Sequence, residues 1–292
     1  MSPSKVAAMT LLTGLLLGPR PGLAAEPAGA TPARRLAVVP FYAPEQLWRL
    51  YTPLIEFLRS ETGEAWELTL HPTHEALIAE FCAGHVDVAL LGPVPLGRIN
   101  RRCGGVPVLV ALGPGGTPSY RSVLLTADPA VTSVAALRGK EVGFFRGSTA
   151  AHVVPVRLLG DAGLSPESYR PVFLESQDRL MTALLAGKIS AAGVKSALYE
   201  RFRSEPGLRV LATSEPLPNF AFAALQSSPR GRLERFAAAL RRLKPAERTA
   251  DAELVRSWDD EIRHGFVAPA ADYLPAVRAL DEATERLARD EH

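Results

Sequence analysis

Short unbroken apolar runs alternate along this chain with stretches in which apolar residues recur every three to four positions. Runs at 36–39, 66–70, 86–91 and 108–112 read as buried strands, the first ended by Pro40. Between the first two, Leu47, Leu50, Tyr51, Leu54, Ile55 and Leu58 fall on one helical face, which starts near Pro44 and closes at Gly63. Thr73 is placed to cap a second helix that carries Leu77, Ile78 and Phe81 and stops at Gly84. Further strands are predicted at 122–126, 142–145, 172–174, 191–194 and 209–211, with helices at 150–161 and 176–186. In the last of these Ser176 is the cap, and Leu180, Met181, Leu184 and Leu185 point inward. Strands alternating with helices predict an α/β fold built on parallel sheets.

Two breaker clusters interrupt this order, 113–118 (GPGGTP) and 215–219 (EPLPN). Two readings are open. They are surface loops of one sheet, or they are crossings that divide the chain into a discontinuous lobe (35–115 with 216–292) and an inserted lobe (116–215). The second reading makes a hinge and a cleft, and ligands of open α/β sheets sit beyond the carboxyl ends of the strands.

The amino end changes the compartment. Lys5, an apolar run at 6–17 and the small residues of Gly22-Leu23-Ala24-Ala25 read as a secretory signal over 1–25. The run is short for a membrane span of roughly 20 residues, with an uncleaved anchor as the alternative. Residues 26–34 read as a flexible arm. The chain is therefore expected to be exported through the membrane. In an oxidising compartment Cys82 and Cys103 are expected to pair; the alternative is two small buried apolar side chains.

Of 292 residues, 22% are charged and 47% hydrophobic, which argues against a disordered chain. The 33 basic and 31 acidic residues nearly balance, so a dedicated nucleic-acid binder is not expected. Two cysteines are too few for a four-cysteine zinc site.

The sharpest local chemistry is 144–152 (FFRGSTAAH). A strand ends, a glycine turn follows, and Ser148 and Thr149 stand at the start of a helix, where free N–H groups at 147–150, Ala150 included, favour an anion. The alternative is that the hydroxyls merely cap the helix. His152 faces either this pocket or the core. No phosphate-binding nucleotide loop occurs, and no G-x-S-x-G or other catalytic spacing points to an enzyme. His71, His74 and His85 lack a third ligand at a metal-binding spacing. No cofactor or metal is expected. Asp259-Asp260-Glu261 reads as a solvated helix face.

Several segments, in order, resemble the periplasmic phosphate/phosphite/phosphonate-binding proteins of ABC transporters. They are 54–58 with Thr62-Gly63, 86–93, 120–125, 137–142, Ser148-Thr149 with Pro155, and 214–218. The resemblance covers about 35–280. It implies a type II periplasmic-binding-protein fold, with two lobes of mixed sheets flanked by helices and joined by two hinge crossovers. It also implies that Ser148 and Thr149 bind phosphoryl or phosphonyl oxygens, with Tyr120 near the pocket and hinge. His74 falls where many members carry a Tyr that reaches the anion, and would titrate near pH 6–7; Gln177 falls where some carry a ligand-facing His. Phe220 stands where aminoalkylphosphonate binders carry a carboxylate, so the implied ligand is a small anion such as phosphate, phosphite or a simple phosphonate. The implied partners are that ligand and an ABC permease, for a protein acting as a monomer. A ligand-sensing subunit serving a membrane sensor kinase, and a secreted enzyme acting on a phosphate or phosphonate, are the alternatives.

Overall fold

A computed structural model describes residues 32–290. The expected signal at 1–25, and the arm as far as residue 31, lie outside the described residues.

Strands whose two faces are both covered must be apolar throughout, and Leu36, Ala37 and Val38, with Val88 to Leu91, are almost wholly inaccessible. They lie in a six-stranded sheet ordered Phe266–Val267, Gly105–Ala111, Ala221–Leu225, Val88–Leu91, Arg34–Val38, Trp66–Leu70. Arg34–Val38 is parallel to both neighbours, whereas Ala221–Leu225 is antiparallel to both of its own. A second sheet is ordered Arg209–Thr213, Ser122–Thr126, Ala191–Lys195, Glu141–Phe144, Arg170–Phe173. Here Glu141–Phe144 has parallel neighbours and Ser122–Thr126 antiparallel ones. The sheets are therefore mixed rather than purely parallel. Ala221–Leu225 and Ser122–Thr126 are the strands that the chain enters from its crossings, without a preceding helix to turn it round, and the short edge strand Phe266–Val267 is antiparallel to Gly105–Ala111 as well.

The chain leaves the first sheet after Ala111, builds the second, and re-enters the first at Ala221. The two passages pair as a short antiparallel ribbon, Ser119–Tyr120 with Leu217–Pro218. The fold is two-lobed α/β with two crossovers. One apolar cluster runs through both sheets, from Leu36 and Phe222 to Leu125 and Val194. A smaller one, with Leu124, Val142, Phe144 and Tyr169, lies on the other face of the second sheet.

The helix Pro44–Thr62 buries Leu47, Tyr51, Leu54, Ile55 and Leu58, and ends where Gly63 turns left-handed and donates its N–H to the Arg59 carbonyl. The helix Pro93–Cys103 escapes the sequence pattern because PVPLG looks like a breaker. Pro93 and Pro95 sit in its first turn, where no N–H is needed. Gly97 lets the C-terminal helix Tyr273–Asp290 come so near that a Cβ there would lie 2.5 Å from the Asp281 Cβ. Cys82 and Cys103, each the last residue of its helix, are joined in a disulfide with Cα atoms 5.5 Å apart.

Candidate functional site

The second sheet delivers the loop. After Phe144 the chain turns through Gly147 (φ 78°), a left-handed conformation open to glycine. It then enters a wide turn, Thr149–Val153, that continues as the helix Val154–Asp161. Gly193 allows this: a Cβ there would run into the Pro155 ring, so the bare backbone lets the helix start settle on the strand Ala191–Lys195. Ser122 Oγ, donating to the Ala150 carbonyl at 2.7 Å, ties the loop to the next strand.

Ser148 is the cap, its Oγ accepting from the Ala151 N–H at 3.2 Å. Thr149 Oγ1 accepts from the Val94 N–H of the first lobe at 3.0 Å. A hydroxyl that accepts still has its own proton to donate. The capping role therefore leaves both side chains as donors. The N–H groups of Thr149 and Ala150, in the first turn, have no carbonyl one turn back to bond. The dipole of the continuous helical segment adds partial positive charge there.

These groups line a cleft between the lobes. The first lobe supplies His74, Gly92, Pro95 and Phe41, the second Phe145 and Gln177, and the crossings Tyr120 and Phe220. No acidic or basic side chain other than His74 lines it among the described residues. His74 is the first residue of its helix, is 5% exposed, and packs at a tilt against Phe145, ring centroids 5.2 Å apart. Burial pushes its imidazole down to about 4, so it is neutral near pH 7; the expected titration at pH 6–7 is corrected on that ground. The Tyr120 hydroxyl is buried without a hydrogen-bond partner. Burial first, then the Glu261 charge, push the phenol pKa well up, and Thr149, close by though outside hydrogen-bond geometry, draws it the other way. Gln177 accepts the Lys195 N–H through Oε1 at 2.8 Å.

His152 is placed behind the loop. Its Nδ1 accepts from the Gly147 N–H at 3.3 Å, and its ring packs on Phe144 and Phe173, away from the lining. Ser148, Thr149, Ala150, Tyr120, His74 and Gln177 are brought together; His152 braces the turn. His85 bonds Glu80 instead of joining His74.

Sequence reasoning missed what lies beside this cleft. Lys195, 5% exposed, ends a strand of the second sheet and reaches across to Asn219 Oδ1 at 2.8 Å and to the Glu261 carboxylate. Its ammonium lies 4.5 Å from the ring centroids of both Tyr120 and Phe220. The acidic run is thus no solvated helix face. Asp259 is buried, accepting from Tyr51 Oη at 3.1 Å and the Glu261 N–H at 3.0 Å, and Glu261, partly buried, is paired with the buried Lys195. The available signal was a lysine closing an otherwise apolar strand, AAGVK.

With this geometry in hand, the model of the periplasmic substrate-binding proteins of phosphonate ABC transporters matches residues 36–274. A phosphate-import protein of Mycolicibacterium smegmatis is 24% identical over 217 residues, covering 65% of this chain and 65% of that protein's length. A solved binding-protein component of a phosphonate ABC transporter from Pseudomonas aeruginosa superposes with TM-score 0.76 at 16% identity, covering 89% of each chain. A protein from Prochlorococcus marinus solved in complex with methylphosphonate gives 0.74 at 11% identity, over 88% of this chain and 98% of that one.

Proposed function

The chain belongs to the periplasmic substrate-binding proteins of phosphonate ABC transporters, a family of binding proteins rather than enzymes, and we propose that it captures a small phosphorus oxyanion between its lobes and delivers it to an ABC permease. The lobes are 35–115 with 216–292, and 116–215, moving about the ribbon of Ser119–Tyr120 and Leu217–Pro218. Residues 1–25 direct export. The observation that carries the ligand is the convergence, in one cleft, of hydroxyl and amide donors at 148–150 with a buried Tyr120 hydroxyl that has no protein partner. A buried donor left unpaired costs on the order of 1–3 kcal/mol, which an anion's oxygen returns. A site of neutral donors suits a compact tetrahedral anion, whose oxygens accept several hydrogen bonds at once. The relatives named for phosphate import and solved with methylphosphonate support the same size of ligand.

The lobes close by the same contacts. An oxyanion meets 148–150 on the second lobe first, then Tyr120 and, from the first lobe, His74. Exclusion of water strengthens each bond. The Val94 to Thr149 bond shows how near the lobes come at this loop.

Thermal shift against phosphate, phosphite, methylphosphonate and sulfate tests the reading. At least one should raise the melting temperature, since a ligand bound only to the native chain stabilises it. Ser148→Ala with Thr149→Ala should weaken that ligand by roughly tenfold to a hundredfold per lost charge-assisted bond, with the fold retained. Silence of the wild type across all four anions overturns the proposal.

A further inference from the structure

The Lys195 ammonium is surrounded by what would hold an alkylammonium ion. Two aromatic faces lie 4.5 Å away, an amide oxygen accepts at 2.8 Å, and the Glu261 carboxylate balances the charge. Lys195 belongs to the second sheet, whereas Asn219 and Glu261 follow the second crossing, so the cage closes across the two lobes. It also opens off the anion cleft. Phe41, Gln177 and Phe220 are walls of both spaces, and Tyr120, a wall of the cleft, has the ammonium over its ring. A tetrahedral oxyanion held by its oxygens at 148–150 must point its remaining substituent somewhere. The cleft continues past Gln177 and Phe220 to a space walled by Lys195 and Glu261.

We infer that Lys195 is a specificity-determining residue: its tethered ammonium fills, from within the chain, a cation-binding recess beside the oxyanion cleft, and so restricts the ligand to oxyanions without a long substituent. The inference rests on the oxyanion reading above. It follows that removing the lysine side chain leaves the partly buried Glu261 carboxylate without its partner, a state that a ligand's own ammonium group relieves and a neutral tail does not. Phe220, with no acceptor atom, contributes to the cage through its ring face alone.

Calorimetry on the whole protein with phosphate, methylphosphonate, propylphosphonate and 2-aminoethylphosphonate separates the possibilities. The wild type should bind at least one of the first two, and both of the longer ligands about tenfold or more weakly. Lys195→Ala, its folding checked by circular dichroism, should prefer 2-aminoethylphosphonate over propylphosphonate by about tenfold or more, and adding Glu261→Gln should abolish that preference. A wild type that holds 2-aminoethylphosphonate as tightly as methylphosphonate overturns the role of Lys195, as does a folded Lys195→Ala that treats the two long ligands alike. If Lys195→Ala does not fold, the wild-type ligand series decides between these outcomes by itself. A wild type that binds none of the four overturns the oxyanion reading instead, so the two failures are told apart.

Discussion

Single buried groups set how this protein responds to pH. His74 and His152 are pushed from the usual 6.5 down to about 4, chiefly by burial, with the Arg146 charge adding to it at His152. Between those values the unfolded chain takes up protons that the folded chain refuses. The stabilisation, present in full above pH 6.5, is lost as the pH falls toward 4. Asp259 has the opposite sign. Burial first, then the Glu261 charge, lifts its carboxyl from 3.8 to about 7. The folded chain keeps a proton there that the unfolded chain releases, so this contribution is complete below pH 3.8 and gone above about 7. Two imidazoles against one carboxyl leave a net loss on acidification, so the melting temperature should fall between about pH 6.5 and 4.5. Asp259→Asn, measured by calorimetric melts over the same range, should steepen that fall and remove the loss near pH 7. A wild type that becomes more stable on acidification across this window would contradict the burial of both histidines. At this scale the sequence was partly legible. Ser148 and Thr149 stand out because strand end, glycine turn and helix cap are neighbours in the chain. Lys195, Asn219 and Glu261 do not, because they meet only in the folded chain, over separations of 24 and 66 residues.

Among the elements, the helices of the first lobe act at their amino ends and are fixed at their carboxyl ends. The helix His74–Cys82 brings His74 to the cleft with its first residue, and Pro93–Cys103 brings Pro95 and the Val94 N–H with its first turn. The Cys82–Cys103 disulfide clamps their last residues together. Closing a loop with a sequence separation of 21 is worth about 3 kcal/mol in the chain-entropy account. Cys82→Ala with Cys103→Ala should therefore lose about that much in denaturant titrations, and should weaken the anion as well, because the amino ends lose their common anchor. Lost stability with unchanged anion affinity would confine the bond to stability alone. The backing strand supplies a sterner case. Gly193→Ala must displace Pro155 and with it the helix start at 149, so affinity should fall more than stability, read by calorimetry beside thermal melts. Strands with both faces buried were readable as apolar runs. The Pro93–Cys103 helix was not, because its prolines and glycine signal a turn locally and are tolerated only at a first turn and against a facing helix.

Over the whole molecule, breaker clusters and lobe boundaries follow one logic: glycine and proline fall where the chain must leave a sheet rather than extend it. The ribbon of Ser119–Tyr120 and Leu217–Pro218 is four residues in all, between sheets of six and five strands, and so is the thin place about which bending costs least. The contacts of Val94 with Thr149 and of Lys195 with Asn219 and Glu261 join the two lobes and would oppose that bending. Both lie beside the cleft, so an anion added there adds its bonds to the same closed arrangement, and the gap between open and closed widens by its differential affinity. Solution scattering should therefore give a smaller radius of gyration with a bound oxyanion than without one. Glu261→Gln, which weakens the cross-lobe pair, should enlarge the anion-free radius and leave the bound one nearly unchanged. Identical radii in all four states would mean that the ribbon does not bend, and the donors at 148–150 would then have to take their ligand through a fixed opening.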